Sequence, residues 1–273
     1  MEEGPPIKSF TEEERKCEAH YNRHTIRNEE NRYVVALPFK HKIAELGESK
    51  NMGKKRLLAT ERKLYGDPEL ERQYHAVLNE YLTLGHMTPI AAAQSSNEGY
   101  YLPHHAVIKQ SSLTTKVRVV FDGSAKTTSG ISLNDTLLVG PTIQPDIFTL
   151  LIRFRKHAFV LTGDIEKMYP QVLVRQEDRK YQRILWRTPC GQLQTYELNT
   201  VTFGLSSAPY LAIRTLHQLA EDEKNLFPRA AKVLKEDFYV DEVLTGAATR
   251  KEAISLRKEL TAVLKSTGFT ICQ

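Results

Sequence analysis

The sequence predicts an α+β fold, and three observations carry the prediction. Up to Gly85 the chain is dominated by helical spacing. Beyond it come short apolar runs separated by turn residues, several with the period-two alternation of strands. Two of these runs stop at acids: Ala158 to Thr162 leads into Gly163-Asp164, and Phe238-Tyr239-Val240 leads into Asp241-Glu242 before Val243-Leu244. Asp and Glu are poor strand residues. An acidic pair between two apolar stretches is either a hairpin turn facing water or a turn that holds Mg²⁺ with a third carboxylate from elsewhere.

Size and composition set the frame. With 273 residues, 41% hydrophobic and 26% charged, the chain can bury a core as one large domain or two smaller ones. Its net charge of +5 is compatible with a nucleic-acid partner without requiring one. Cys17, Cys190 and Cys272 are odd in number and far apart, which predicts no disulfide framework and a reducing compartment. The acidic, Pro-rich start is unlike a targeting peptide, and no apolar run reaches the ~18 residues of a membrane span. The expected setting is intracellular and cytoplasmic, with the nucleus as the other compartment and no membrane partner.

In chain order, Thr11 followed by Glu14 is a capping box that opens a helix over 11–24. Cys17, His20 and His24 share one face of it; a solvated face is the simpler reading and a zinc site the sharper one. Residues 32–39 read as a strand ended by Pro38, and 52–84 as helical, with Asp67-Pro68 an N-cap and first-turn proline. Leu70, Tyr74, Val77, Leu78, Tyr81 and Leu82 form its apolar stripe, and Gly85 closes it. Upstream lie Lys50, Lys54, Lys55, Arg56, Arg62 and Lys63, which read as a solvated face or as phosphate contacts if the fold binds nucleic acid.

Residues 101–109 and 116–122 form a hairpin whose second strand places Lys116, Arg118, Val120 and Asp122 on one face. That face is either solvent-exposed or a polyphosphate clamp with Arg118 held by an acidic neighbour. A short helix near 133–138 and another over 145–156 precede the run into Asp164, read as a buried strand. Asp164 at the strand end is either an N-cap or a metal ligand beside free N–H groups. Strands at 181–186 and 194–198, a small-residue segment from Thr202 to Pro209, and helices over 207–221, 228–235 and 249–266 complete the chain.

These pieces in this order resemble a reverse transcriptase, in particular the BEL/Pao class of long-terminal-repeat retrotransposon polyproteins. The resemblance is carried by YLPHHAVIK (101–109), KVRVVFDGSAK (116–126), SLNDTLLVGPTIQPD (132–146), LTGDIEKMYPQV (161–172), VTFGLSSAPYLA (201–212) and FYVDEVLTG (238–246). RYVVALPFK (32–40), ELGESK (45–50) and YLTLGHM (81–87) extend it upstream.

The resemblance implies a palm built as an antiparallel sheet with helices on one face, plus fingers. It implies a helical extension over 1–88, fingers at about 89–135 and 172–205, and palm at about 136–171 and 206–273. The chain is expected to stop before the thumb and to lack the protease, RNase H and integrase regions. Implied partners are a primed RNA or DNA template and dNTPs, and the implied cofactor is a pair of Mg²⁺ ions, with Mn²⁺ as substitute. Asp164, Asp241 and Glu242 would be the catalytic, metal-holding carboxylates. Tyr169 would be the gate against a ribose 2′-hydroxyl. Arg118 and either Lys109 or Lys116 would grip the triphosphate, Asp122 would orient Arg118, and Phe203-Gly204 would form the floor under the base pair. Glu242 departs from the family, which has Asp there. A degenerate, inactive remnant that at most binds nucleic acid is the alternative.

Overall fold

The computed structural model describes residues 10–91, 98–108 and 117–272. Helix α1 (Glu12–His24) starts at the expected capping box, with Thr11 and Glu14 bonded reciprocally. Its Cys17 and Tyr21 are buried and His20 and His24 half-buried, so neither the solvated-face nor the zinc reading holds: Cys17 points into the core, where burial pushes its thiol up to about 12. Short strands β1 (Ile26–Arg27) and β2 (Tyr33–Val35) follow. The long helical stretch divides at Asp67 into α2 (Lys50–Tyr65) and α3 (Pro68–Thr83). Asp67 caps α3 by accepting from the Leu70 N–H at 3.1 Å, and Pro68 needs no helical partner there.

Beyond β3 (Met87–Pro89), the hairpin of β4 (His104–Ile108) and β5 (Val117–Phe121) pairs His104 with Phe121. Helix α4 (Ile147–Phe154) leads into β6 (Phe159–Ile165) and the single turn α5 (Met168–Gln171). Then come β7 (Leu173–Val174), α6 (Gln176–Arg179) and the hairpin of β8 (Arg183–Arg187) with β9 (Leu193–Leu198). Helices α7 (Ala208–Glu223) and α8 (Pro228–Glu236) precede a second hairpin, β10 (Phe238–Tyr239) and β11 (Glu242–Ala247). Helix α9 (Arg250–Lys265) and β12 (Ile271–Cys272) end the described chain.

The sheet that matters runs β10-β11-β6-β12, antiparallel throughout. Helix α9 packs on β6 and β11 from one side through Leu256, Leu260, Val263 and Leu264. The α+β class with helices on one face of an antiparallel sheet is therefore what the chain adopts. One expectation is corrected: β6 is not a buried strand. Phe159 is 43% and Val160 54% exposed, and Thr162 and Asp164 are exposed too. With helices on one side only, alternate residues face an open surface; an apolar run cannot by itself report whether one face or two are covered.

One continuous buried cluster joins the N-terminal helices to this sheet, from Cys17 and Tyr21 through Tyr74 and Leu78 to Ile165, Val243 and Leu260. Among the described residues no helix is long and apolar enough to cross a membrane.

Candidate active site

The open face of the sheet is where the acids meet. Asp164 is paired in register with Glu242 of β11 and Cys272 of β12, and directly opposed residues of an antiparallel sheet present side chains to one face. Gly163 just before it permits the close pairing, since a Cβ there would lie 2.9 Å from the Cys272 carbonyl oxygen. Asp241 occupies the two-residue turn between Tyr239 and Glu242, and its carbonyl accepts from the Ile165 N–H at 2.9 Å. Its turn partner Val240 has φ of 58°, a left-handed conformation costly for a β-branched residue. Gln144 holds that turn by accepting the Val240 N–H at 3.0 Å.

The electrostatics of the cluster are lopsided. Partial burial raises the Asp164 carboxyl above the usual carboxylate range, and the neighbouring Asp241 and Glu242 charges raise it further, with a hydrogen bond to Asp241 adding to the effect. Only Arg118 acts in the other direction. A set of hard oxygen donors with more negative charge than its surroundings neutralise is suited to a hard divalent cation. Among the described residues no three His, Cys, Asp or Glu side chains converge closely enough to form a cage for an ion.

Tyr169 and Phe203 flank this cluster. Tyr169 is nearly buried on α5, its ring 4.3 Å from the Phe203 ring at a 31° tilt, and burial together with the Asp241 charge raises its phenol. Two N-terminal residues brace its turn: Arg32 donates to the carbonyls of Pro170 and Gln171, and Glu80 of α3 takes the Lys167 ammonium. Gly204 has φ of 96°, and a Cβ there would fall 1.9 Å from the Phe121 carbonyl oxygen, so only glycine fits.

Asn134 ties three loops together. Its Nδ2 donates to the Gly204 carbonyl and to Ser124 Oγ, each at 2.9 Å, and its Oδ1 accepts from the Ser206 N–H at 2.9 Å. Asn134, Gln144, Arg32 and Glu80 were not among the residues expected at the site. The first two lie inside the motif runs at 132–146, but nothing in residue type or spacing marks their roles; the other two act from far away in sequence.

Arg118 stands on the exposed side of β5, with Val117, Val119 and Phe121 buried on the other. Asp122 does not hold it as expected. The Asp122 carboxylate accepts from the Ser124 N–H at 3.0 Å and pairs with Arg56 of α2 at 3.4 Å. A period-two reading of the strand could not foresee a cation arriving from a helix 66 residues away. Lys109 and Lys116 lie outside the described residues.

A family model described as reverse transcriptase (RNA-dependent DNA polymerase) matches residues 115–273. Among solved structures, the fold is similar to a foamy viral protease-reverse transcriptase in complex with double-stranded DNA, with TM-score 0.55 and 15% identity over 73% of this chain. It is similar as well to the prototype foamy virus protease-reverse transcriptase CSH mutant, with TM-score 0.56 and 16% identity over 75% of this chain. The chain spans 30% and 24% of the length of those two proteins. No curated protein matches.

Proposed function

We propose, from the premise that this chain belongs to the reverse transcriptase (RNA-dependent DNA polymerase) family, that its open sheet face is the nucleotidyl-transfer site of an RNA-directed DNA polymerase. The observation that carries the proposal is the meeting of Asp164 and Asp241 beside Tyr169 and Phe203, across from Arg118. In the reaction, a primer 3′-hydroxyl oxygen bonds to the α-phosphorus of a dNTP and the bond to pyrophosphate breaks.

The family uses divalent metal ions, and the hydrogen-bonded pair Asp164 and Asp241 would hold them, with Glu242 drawn in from the same face on binding; a bound ion supplies Lewis-acid stabilisation of the phosphoryl charge and a lower pKa for the attacking hydroxyl. Arg118 would pair with the triphosphate. Tyr169, its ring fixed against Phe203, would stand where a ribose 2′-hydroxyl must pass and so favour deoxynucleotides. Phe203 and the Gly204 backbone, held by Asn134, would support the base pair. The finer assignment, to the BEL/Pao class of retrotransposon polyproteins, is supported by the ordered motifs from 32–40 to 238–246.

The alternative is a copy that retains nucleic-acid binding and has lost catalysis. What favours it is Glu242, in register with Asp164: its extra methylene moves a carboxylate by ~1 Å, enough to cost ~10²-fold in rate. Primer extension with Mg²⁺ or Mn²⁺ separates the two. Incorporation that is lost in Asp164→Asn and Asp241→Asn supports a polymerase. Salt-sensitive oligonucleotide binding with no incorporation, even in Glu242→Asp, supports the remnant.

A further inference from the structure

The basic stretch at 50–63 takes no part in the carboxylate site, yet it borders a sizeable cavity. Helix α2 carries six cations against Glu61 alone, so its net charge equals the +5 of the entire chain. Lys54, Leu58, Arg62 and Tyr65 follow helical spacing along one side of α2, and Lys54, Leu58 and Tyr65 are exposed, which makes one stripe of them. Leu58, Arg62 and Tyr65 line a cavity of about 830 Å³ that α2 forms with α3 and the β8–β9 turn. That volume lies within the ~300–1,000 Å³ of small-molecule sites.

Aromatic side chains line the cavity on several sides. Trp186 lines it with 3% of its surface exposed, and the His75 ring lies 4.9 Å from the Trp186 ring. At its rim stands Tyr65, 86% exposed, an aromatic surface with almost nothing packed on it. Two acids line the cavity: Glu61 is held by the Arg187 guanidinium through two bonds of 2.5 and 3.0 Å, and Glu71 faces the His75 ring at 4.0 Å. Lys54, Lys55 and Lys63 enter no ion pair among the described residues. The cavity and the carboxylate cluster share no residue.

We infer that this groove is a second nucleic-acid site: it takes one unstacked base of a single strand between Tyr65 and the Trp186–His75 pair, with the strand's phosphates along Arg62, Lys54 and Lys55. Exposed aromatic rings beside a line of free cations are the sequence-tolerant way of holding single strands, and a duplex has no base to offer. The site stands apart from nucleotide transfer.

The experiment is a titration of the 273-residue chain with a dT homopolymer of about ten nucleotides, without primer, dNTP or divalent ion, followed through Trp186, the chain's one tryptophan. Saturable quenching is expected, and Tyr65→Ala should weaken affinity about tenfold while leaving the thermal midpoint where it was. Replacing Lys54 and Lys55 with Ala should flatten the dependence of log K on log salt by about 0.7 for each phosphate left without its cation. Three results would overturn the inference: anisotropy-detected binding with no change at Trp186, Tyr65→Ala binding like the parent, or equal displacement by a blunt duplex or poly-glutamate.

Discussion

The two faces of the β10-β11-β6-β12 sheet are made by alternate residues of the same strands, and they differ in nearly everything. On the covered face, Leu161, Ile165, Val243 and Thr245 turn toward α9 and its buried leucines. On the open face, Val160, Asp164 and Glu242 are exposed, and Asp164 is raised above the usual carboxylate range, first by partial burial and then by the neighbouring Asp241 and Glu242 charges. The covered face holds the sheet together. The open face carries charge that weakens the fold and is useful only to a ligand. The two functions are separable because a strand's period of two keeps them on opposite sides.

The largest expected effect is on the open face. Asp164→Asn or Asp241→Asn should reduce nucleotide incorporation by ~10³-fold or more, the equivalent of several kcal/mol of charge stabilisation, while the thermal midpoint holds or rises. A midpoint drop as large as that of a core substitution would break the division between the faces. On the covered face the reverse is expected. Leu260→Ala, with Leu260 at 3% exposure, should cost about 3 kcal/mol in urea unfolding and leave the residual incorporation per folded molecule unchanged.

At the border between charge and packing, Tyr169→Ala should relax discrimination against ribonucleotides by about 10–100-fold, a steric effect of the size a small group commands in a fitted pocket. Matched single-nucleotide incorporation kinetics with dNTP and rNTP would measure it.

The smallest effect comes from the interior beneath the β4–β5 hairpin. His104 is fully buried, shares a hydrogen bond with the Tyr74 hydroxyl at Nδ1, and meets the Leu185 carbonyl at 2.9 Å through Nε2. Burial lowers it to about 4, and His86 and His217 are lowered to about 4 for the same reason. The unfolded chain, whose histidines titrate near 6.5, then binds more protons than the folded one between the two values. The stability these residues contribute is present in full above pH 6.5 and declines as pH falls toward 4. Chemical unfolding across that range should show it, and His104→Gln should make the slope shallower.

How much of this was legible in the sequence follows the same division. The capping box at Thr11, the Asp67-Pro68 start and the stripe of α3 are local, and helices formed where those signals stood. Asp164 and Asp241 were legible as acids where strands should not have them. What stayed hidden depended on distant contacts. The open face of β6 was invisible because apolarity does not count covering layers. Arg56 reached Asp122 across tertiary space, and the bracing by Arg32, Glu80, Asn134 and Gln144 uses polar residues whose types fit any surface.

We propose that the Asp164–Asp241 pair on the open face performs nucleotide transfer. The most direct test is single-turnover extension of a primed RNA template by one dNTP with Mg²⁺, comparing the parent chain with Asp241→Asn at matched folded concentration. Incorporation by the parent that falls ~10³-fold in the variant is the predicted result. Equal incorporation by both chains, or none by the parent and none by Glu242→Asp, would contradict it.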